Sequence, residues 1–116
     1  MATSEFSFTI SSKGFGDIID ITQKIESFLG NSNSNYAIVY IYNDSNNVAI
    51  KNIEIKELKK KMKDINYKKI LQAGNCNHLT LPIIDKKLYK NEISRILFID
   101  FEQSASIRKI VVMYIT

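Results

Sequence analysis

The stretch that decides the fold is Tyr36–Glu54, "YAIVYIYNDSNNVAIKNIE". Its first seven residues form an unbroken run of β-branched, aromatic and aliphatic side chains. Such a run predicts a buried central strand. "NDSN" (Asn43–Asn46) then supplies turn residues, and "NVAIKNI" resumes as a second strand. Working outward, "EIKELKKKMKDI" sets Ile55, Leu58, Met62 and Ile65 at spacings of three, four and three. That is one apolar stripe of an amphipathic helix, with lysines over the rest of its surface.

Towards the N-terminus, "FSFTI" alternates apolar and polar residues, as a half-buried strand does. "SSKGFGD" interrupts it. In "DIIDITQKIESFLGN" the set Ile21, Ile25, Phe28 and Leu29 has helical spacing. Asp20 and Gln23 have the spacing of a capping box, and Gly30 is a natural stop. "NSNSN" (Asn31–Asn35) reads as a polar loop. Towards the C-terminus, "LTLPI" is a short strand whose Pro82 suits an edge or a bulge. "ISRILFIDF" and "SIRKIVVMYI" are two long strands joined by "EQSA". The order is β, α, β-β, α, then several strands. It predicts an α+β fold with two helices and mainly antiparallel sheets, in one domain over residues 1–116.

The chain has 116 residues, one cysteine and a formal net charge of +4. A single cysteine cannot close an internal disulfide, which fits a reducing compartment. The N-terminus lacks the basic region and apolar core of a signal peptide, and no apolar run approaches the roughly 20 residues of a membrane span. The expected location is the cytoplasm. The charge is unevenly placed. Lys51 to Lys69 hold eight of the sixteen basic residues and only Glu54, Glu57 and Asp64 against them. Lys56, Lys59, Lys60, Lys61 and Lys63 form a candidate surface for an acidic or phosphate-bearing partner, nucleic acid included, although no nucleic-acid motif accompanies them. A solvated helix face is the simpler reading of the same residues.

"LQAGNCNHLTLP" (Leu71–Pro82) holds the only cysteine, the only histidine and the only proline. Cys76 and His78 invite a nucleophile–base reading. However, a cysteine needs an activating base or cation beside it, and spacing in sequence does not supply that geometry. One histidine and one cysteine also fall short of the four ligands a zinc site takes. No metal and no cofactor is expected. Tyr36, Tyr40 and Tyr42 share one strand face, where packing against protein is favoured over stacking with bases.

Taken together, the elements resemble the YjbQ-like family, known as secondary thiamine-phosphate synthase type proteins. "GFGDIIDITQKIESFL" is similar to the family's glycine-Phe start, its "DIT" and its first helix. "YAIVYIYNDSNNVAIKNIE" resembles its strand–turn–strand, "LTLPIIDKKLYKNEISRILFIDF" its "LTIP–x–x–D–G–x–L" segment and long strand, and "SIRKIVVMYI" its terminal strand. The family's His-Thr-Thr falls on Asn43-Asp44-Ser45, its Asn-Glu near Lys51-Asn52, and its Gly-Thr-Trp-Gln on Asn91-Glu92-Ile93-Ser94. Of its His-rich middle, Gly74, Asn75 and His78 remain. An amide cannot take and return a proton near neutral pH as imidazole can. The resemblance therefore implies a homotrimer with a degenerate catalytic site that acts in binding or as a structural element. The alternative is a phosphate-handling enzyme using Asn43, Ser45, Asn75 and His78.

Overall fold

A computed structural model of the chain describes residues 3–29, 36–64, 76–85 and 87–116. Strand β1 (Thr3–Ser12) is followed by β2 (Asp17–Asp20), helix α1 (Thr22–Leu29), β3 (Tyr36–Tyr42), β4 (Val48–Glu54), helix α2 (Ile55–Met62), β5 (His78–Ile84), β6 (Lys87–Leu88), β7 (Ser94–Asp100) and β8 (Ser106–Ile115). The larger sheet runs β1-β8-β3-β5-β6 and the smaller β2-β7-β4. Every pairing is antiparallel. This is the α+β class expected, with two helices among the described residues. Gly30 and residues 31–35, 65–75 and 86 lie outside the described residues.

The main core lies between the two sheets. Val39 and Ile41 of β3, Leu81 and Ile83 of β5, and Ile110, Val112 and Tyr114 of β8 meet Val48 and Ile50 of β4 and Ile96 and Phe98 of β7. Ile21, just before α1, and Ile25 and Leu29 of α1 add to it, and Phe28 of α1 stacks on Phe6 of β1 with ring centroids 5.2 Å apart. The alternation of β1 is thus obeyed, with Phe6, Phe8 and Ile10 turned inward. A second cluster covers the far side of the small sheet, where Leu58 of α2 packs with Ala49, Ile53, Leu97, Ile99 and Phe101.

Two expectations change. Tyr36–Tyr42 is central in its sheet but buried on one face only. Val39 and Ile41 are fully inside, while Tyr36 and Ile38 are 68% and 48% exposed, because no described element covers that side. The strand most fully buried on both faces is β7, which with β4 lies between the main core and the cluster under α2. In addition, "DIID" is strand β2 and not helix. Ile21 follows it, and α1 starts at Thr22, whose N–H and Oγ1 both donate to Asp20 Oδ1 at 3.0 and 2.7 Å. Thr22 Oγ1 also accepts from Ile96 N at 2.8 Å, which pins the helix to β7.

Pro82 sits as anticipated near an edge. Its carbonyl accepts from Tyr89 N on the side away from β3. An antiparallel residue points N–H and C=O to the same neighbour, so the missing donor faces the open side.

The chain crosses between sheets at 13–16, 43–47 and 101–105, and these three corners lie together. Gly14 has φ +97°, and a Cβ there would stand 3.0 Å from the Ser104 carbonyl carbon. Gly16 N donates to Asp100 O, and Phe101 N to Asn47 O. The site turn expected from sequence is one of these corners.

Candidate functional site

The turn after β3 is built from its own polar side chains. Asn43, 3% exposed, accepts from Ser45 N at Oδ1 (2.9 Å) and donates from Nδ2 to Lys109 O (2.7 Å). Its backbone N–H donates to Asn77 O, and Asn77 Nδ2 donates to Asn43 O at 2.8 Å. Ser45 Oγ donates to Glu102 Oε1 and accepts from Asn47 N at 3.0 Å. Asn47 Nδ2 closes the turn on Phe101 O at 2.9 Å. Both ends of the Asn43 amide and both roles of the Ser45 hydroxyl are engaged. This is Asx- and Ser-turn chemistry that ties two sheet corners together.

Next to it is a buried acid that the sequence did not single out. Asp100 has no exposure. Its Oδ2 accepts from Ser12 Oγ at 2.5 Å and from Arg108 Nε at 2.8 Å, and its Oδ1 from Glu102 N at 2.8 Å. Arg108 also donates to Ser104 O. A buried carboxylate requires this degree of pairing. Its side-chain partners sit on β1 and β8, and Glu102 lies in the corner just after β7, so no local spacing announced the pairing.

His78 is exposed at the start of β5 and pairs across the sheet with Tyr42. Its ring lies 5.5 Å from that of Tyr40, which in turn lies 5.4 Å from Tyr42. The Cys76 sulfur stands 3.4 Å from Nδ1 and 3.6 Å from Nε2. Such near-equal distances place it off the in-plane axis of either nitrogen, so it contacts the ring and lacks the geometry of a thiol–imidazole hydrogen bond. The site residues picked from sequence are therefore dispersed. Asn43 is turned inward, Ser45 is held by Glu102, His78 stands on the tyrosine face, and Asn75 lies outside the described residues. Among the described residues no group of three His, Cys, Asp or Glu could hold one metal ion.

Two pKa shifts mark the electrostatics. Burial raises the Asp20 carboxyl, but hydrogen bonds from Thr22 and Arg95 and the Arg95 charge outweigh it and hold Asp20 below its ordinary value. Arg95 Nε is 2.7 Å from Asp20 Oδ2. Lys51 is lowered by burial first and by the nearby Lys61 charge second, against a smaller opposing effect of Cys76. On α2, Lys56, Lys59, Lys60, Lys61 and the following Lys63 are all exposed, while Leu58 is turned in. An open groove of about 440 Å³ is lined by Glu26, Leu29, Lys87, Leu88, Lys90, Glu92 and Arg95. It contains none of the residues picked from sequence. Among the described residues no helix is long and apolar enough to cross a membrane.

The architecture matches solved structures throughout its length. A YbjQ-like protein of unknown function from Sulfolobus solfataricus superposes with a TM-score of 0.77 at 18% identity, over 97% of this chain and 96% of that one. The chain has the YjbQ-like fold. An uncharacterised conserved protein of the YjbQ family from Clostridium acetobutylicum gives 0.73 at 17% identity, over 95% and 99%. A hypothetical protein from Aeropyrum pernix gives 0.74 at 18% identity, over 99% and 98%. No family model and no curated protein matches the sequence.

Proposed function

We propose that this chain is a divergent YjbQ-like protein with a degenerate catalytic site, acting as a binding or structural homo-oligomer, and specifically as a homotrimer. One observation carries the loss of chemistry. Asn43, where the resemblance places the first residue of the His-Thr-Thr turn, is buried and hydrogen-bonded at both ends of its amide. Its side chain is committed to holding the turn, and an amide cannot take and return a proton near neutral pH.

The outward face of the large sheet supports assembly. Tyr36, Ile38, Ile84 and Ile107 are all well exposed there, with Tyr40, Met113 and Ile115 beside them in register. An exposed apolar and aromatic patch centred on β3 is the kind of face that interaction surfaces use. The tests are direct. The solution mass at micromolar concentration should be three times the 13.3 kDa of one chain, and thiamine-phosphate formation should be absent. Formation that disappears in His78→Ala overturns the degenerate reading, and a monomer overturns the trimer.

A further inference from the structure

Helix α2 lies over the small sheet, on the opposite side of the sandwich from the tyrosine face. Its Leu58 is held in the second cluster, so its lysines point to solvent. The ion pairs among the described residues are Arg95–Asp20 and Arg108–Asp100, which leaves Lys56, Lys59, Lys60, Lys61 and Lys63 without a carboxylate partner among them. Glu54 is turned towards Asn91, whose Nδ2 donates to its Oε1 at 3.0 Å.

We propose that α2 docks on the phosphate backbone of duplex nucleic acid through Lys56, Lys59, Lys60, Lys61 and Lys63, without reading base sequence. Eight helical residues span about 12 Å. A duplex presents one charge per roughly 1.7 Å of axis, so about seven phosphate charges run alongside the helix. Lysine is a flexible point charge, suited to a line of phosphates and not to the fixed fork of a carboxylate. The tyrosines face the other way, so no described aromatic stands among these lysines to stack a base. A membrane surface is disfavoured, because interfacial helices insert an apolar face and the inward face of α2 is occupied by the core. The inference uses α2 alone and nothing of the tyrosine face, so it stands apart from the trimer.

The test is anisotropy with a labelled duplex of mixed sequence, about 20 base pairs long, titrated from about 20 mM salt upward. The expected slope of log affinity against log salt lies between about −3.6 and −4.5, the value for four to five phosphate contacts. Replacing all five lysines by Gln should lower affinity about tenfold or more, with an unchanged circular dichroism spectrum. Replacing them by Arg should preserve binding. No binding at the lowest salt, a flat salt dependence, or a Gln variant that binds like the parent overturns the proposal. So does stronger competition, through the same lysines, by polyglutamate or by phosphatidylserine vesicles at equal charge, which would make the partner an acidic protein or a membrane. A monomer with the same salt slope would overturn only the trimer.

Discussion

The side-chain amide of Asn43 donates to the carbonyl of Lys109 at 2.7 Å, across 66 residues of sequence. The bond ties the corner after β3 to β8, and Oδ1 of the same amide holds Ser45 N. Asn43→Ala leaves those buried groups unpaired, at about 1–3 kcal/mol. Urea unfolding should show a loss of that size, and a loss below about 0.5 kcal/mol would place the amide outside the turn's support. Asn43→His should lose stability as well and gain no thiamine-phosphate formation.

The two ion pairs should differ sharply in strength. Asp100 is fully buried and Arg108 is 14% exposed at its side chain, whereas Arg95 and Asp20 are 31% and 41% exposed. Arg108→Met strands a buried carboxylate, at about 3–5 kcal/mol. Arg95→Met removes a solvent-screened pair and should cost less than about 1 kcal/mol. Comparable losses in the two variants, measured by denaturant midpoints at one pH, would contradict the burial argument.

Asp20 gives the acid limb of stability a specific contributor. Its folded pKa lies below the ordinary 3.8, so the native state favours the charged form. That contribution is fully present above the unfolded pKa and is lost as pH falls through the folded one. Asp20→Asn should therefore lower stability at neutral pH and differ progressively less from the parent below about pH 4. A variant whose deficit stays constant from pH 7 to pH 3 would show that Asp20 acts by shape and not by charge.

The parts of the fold written in local periodicity were legible in the sequence. The alternation of Phe6, Phe8 and Ile10, the stripe carrying Leu58, and the spacing of Ile21, Ile25 and Leu29 each report one face of one element. Long-range placement was not legible. A continuous apolar run suits a strand buried on one face with hydrophobic residues outside, as in β3, and equally one buried on both faces, as in β7. Only the position of α2 separates them. The residues Asn43, Asp44 and Ser45 read as turn chemistry from composition alone, and their bonds to Lys109 and Glu102 depend on corners far away in the chain. Asp100 was invisible for the same reason, since its side-chain partners Ser12 and Arg108 come from β1 and β8.

Ile38 offers the sharpest probe of the tyrosine face. It is 48% exposed on the central strand of the large sheet and stands opposite Pro82 on one side and Ile115 on the other. Within a single chain Ile38→Asp faces water, so the cost to the monomer fold is about 1 kcal/mol, the span of strand propensity. Within an assembly the same carboxylate would be buried without a partner, a far larger penalty. The variant should run as a folded monomer where the parent runs as a trimer. Ile107→Asp is the control: at 70% exposure it lies at the far end of β8, opposite Ser11 of the edge strand, and should weaken assembly less. If Ile38→Asp leaves the trimer intact while Ile107→Asp dissociates it, the contact lies along the β1 edge and the central tyrosines face solvent.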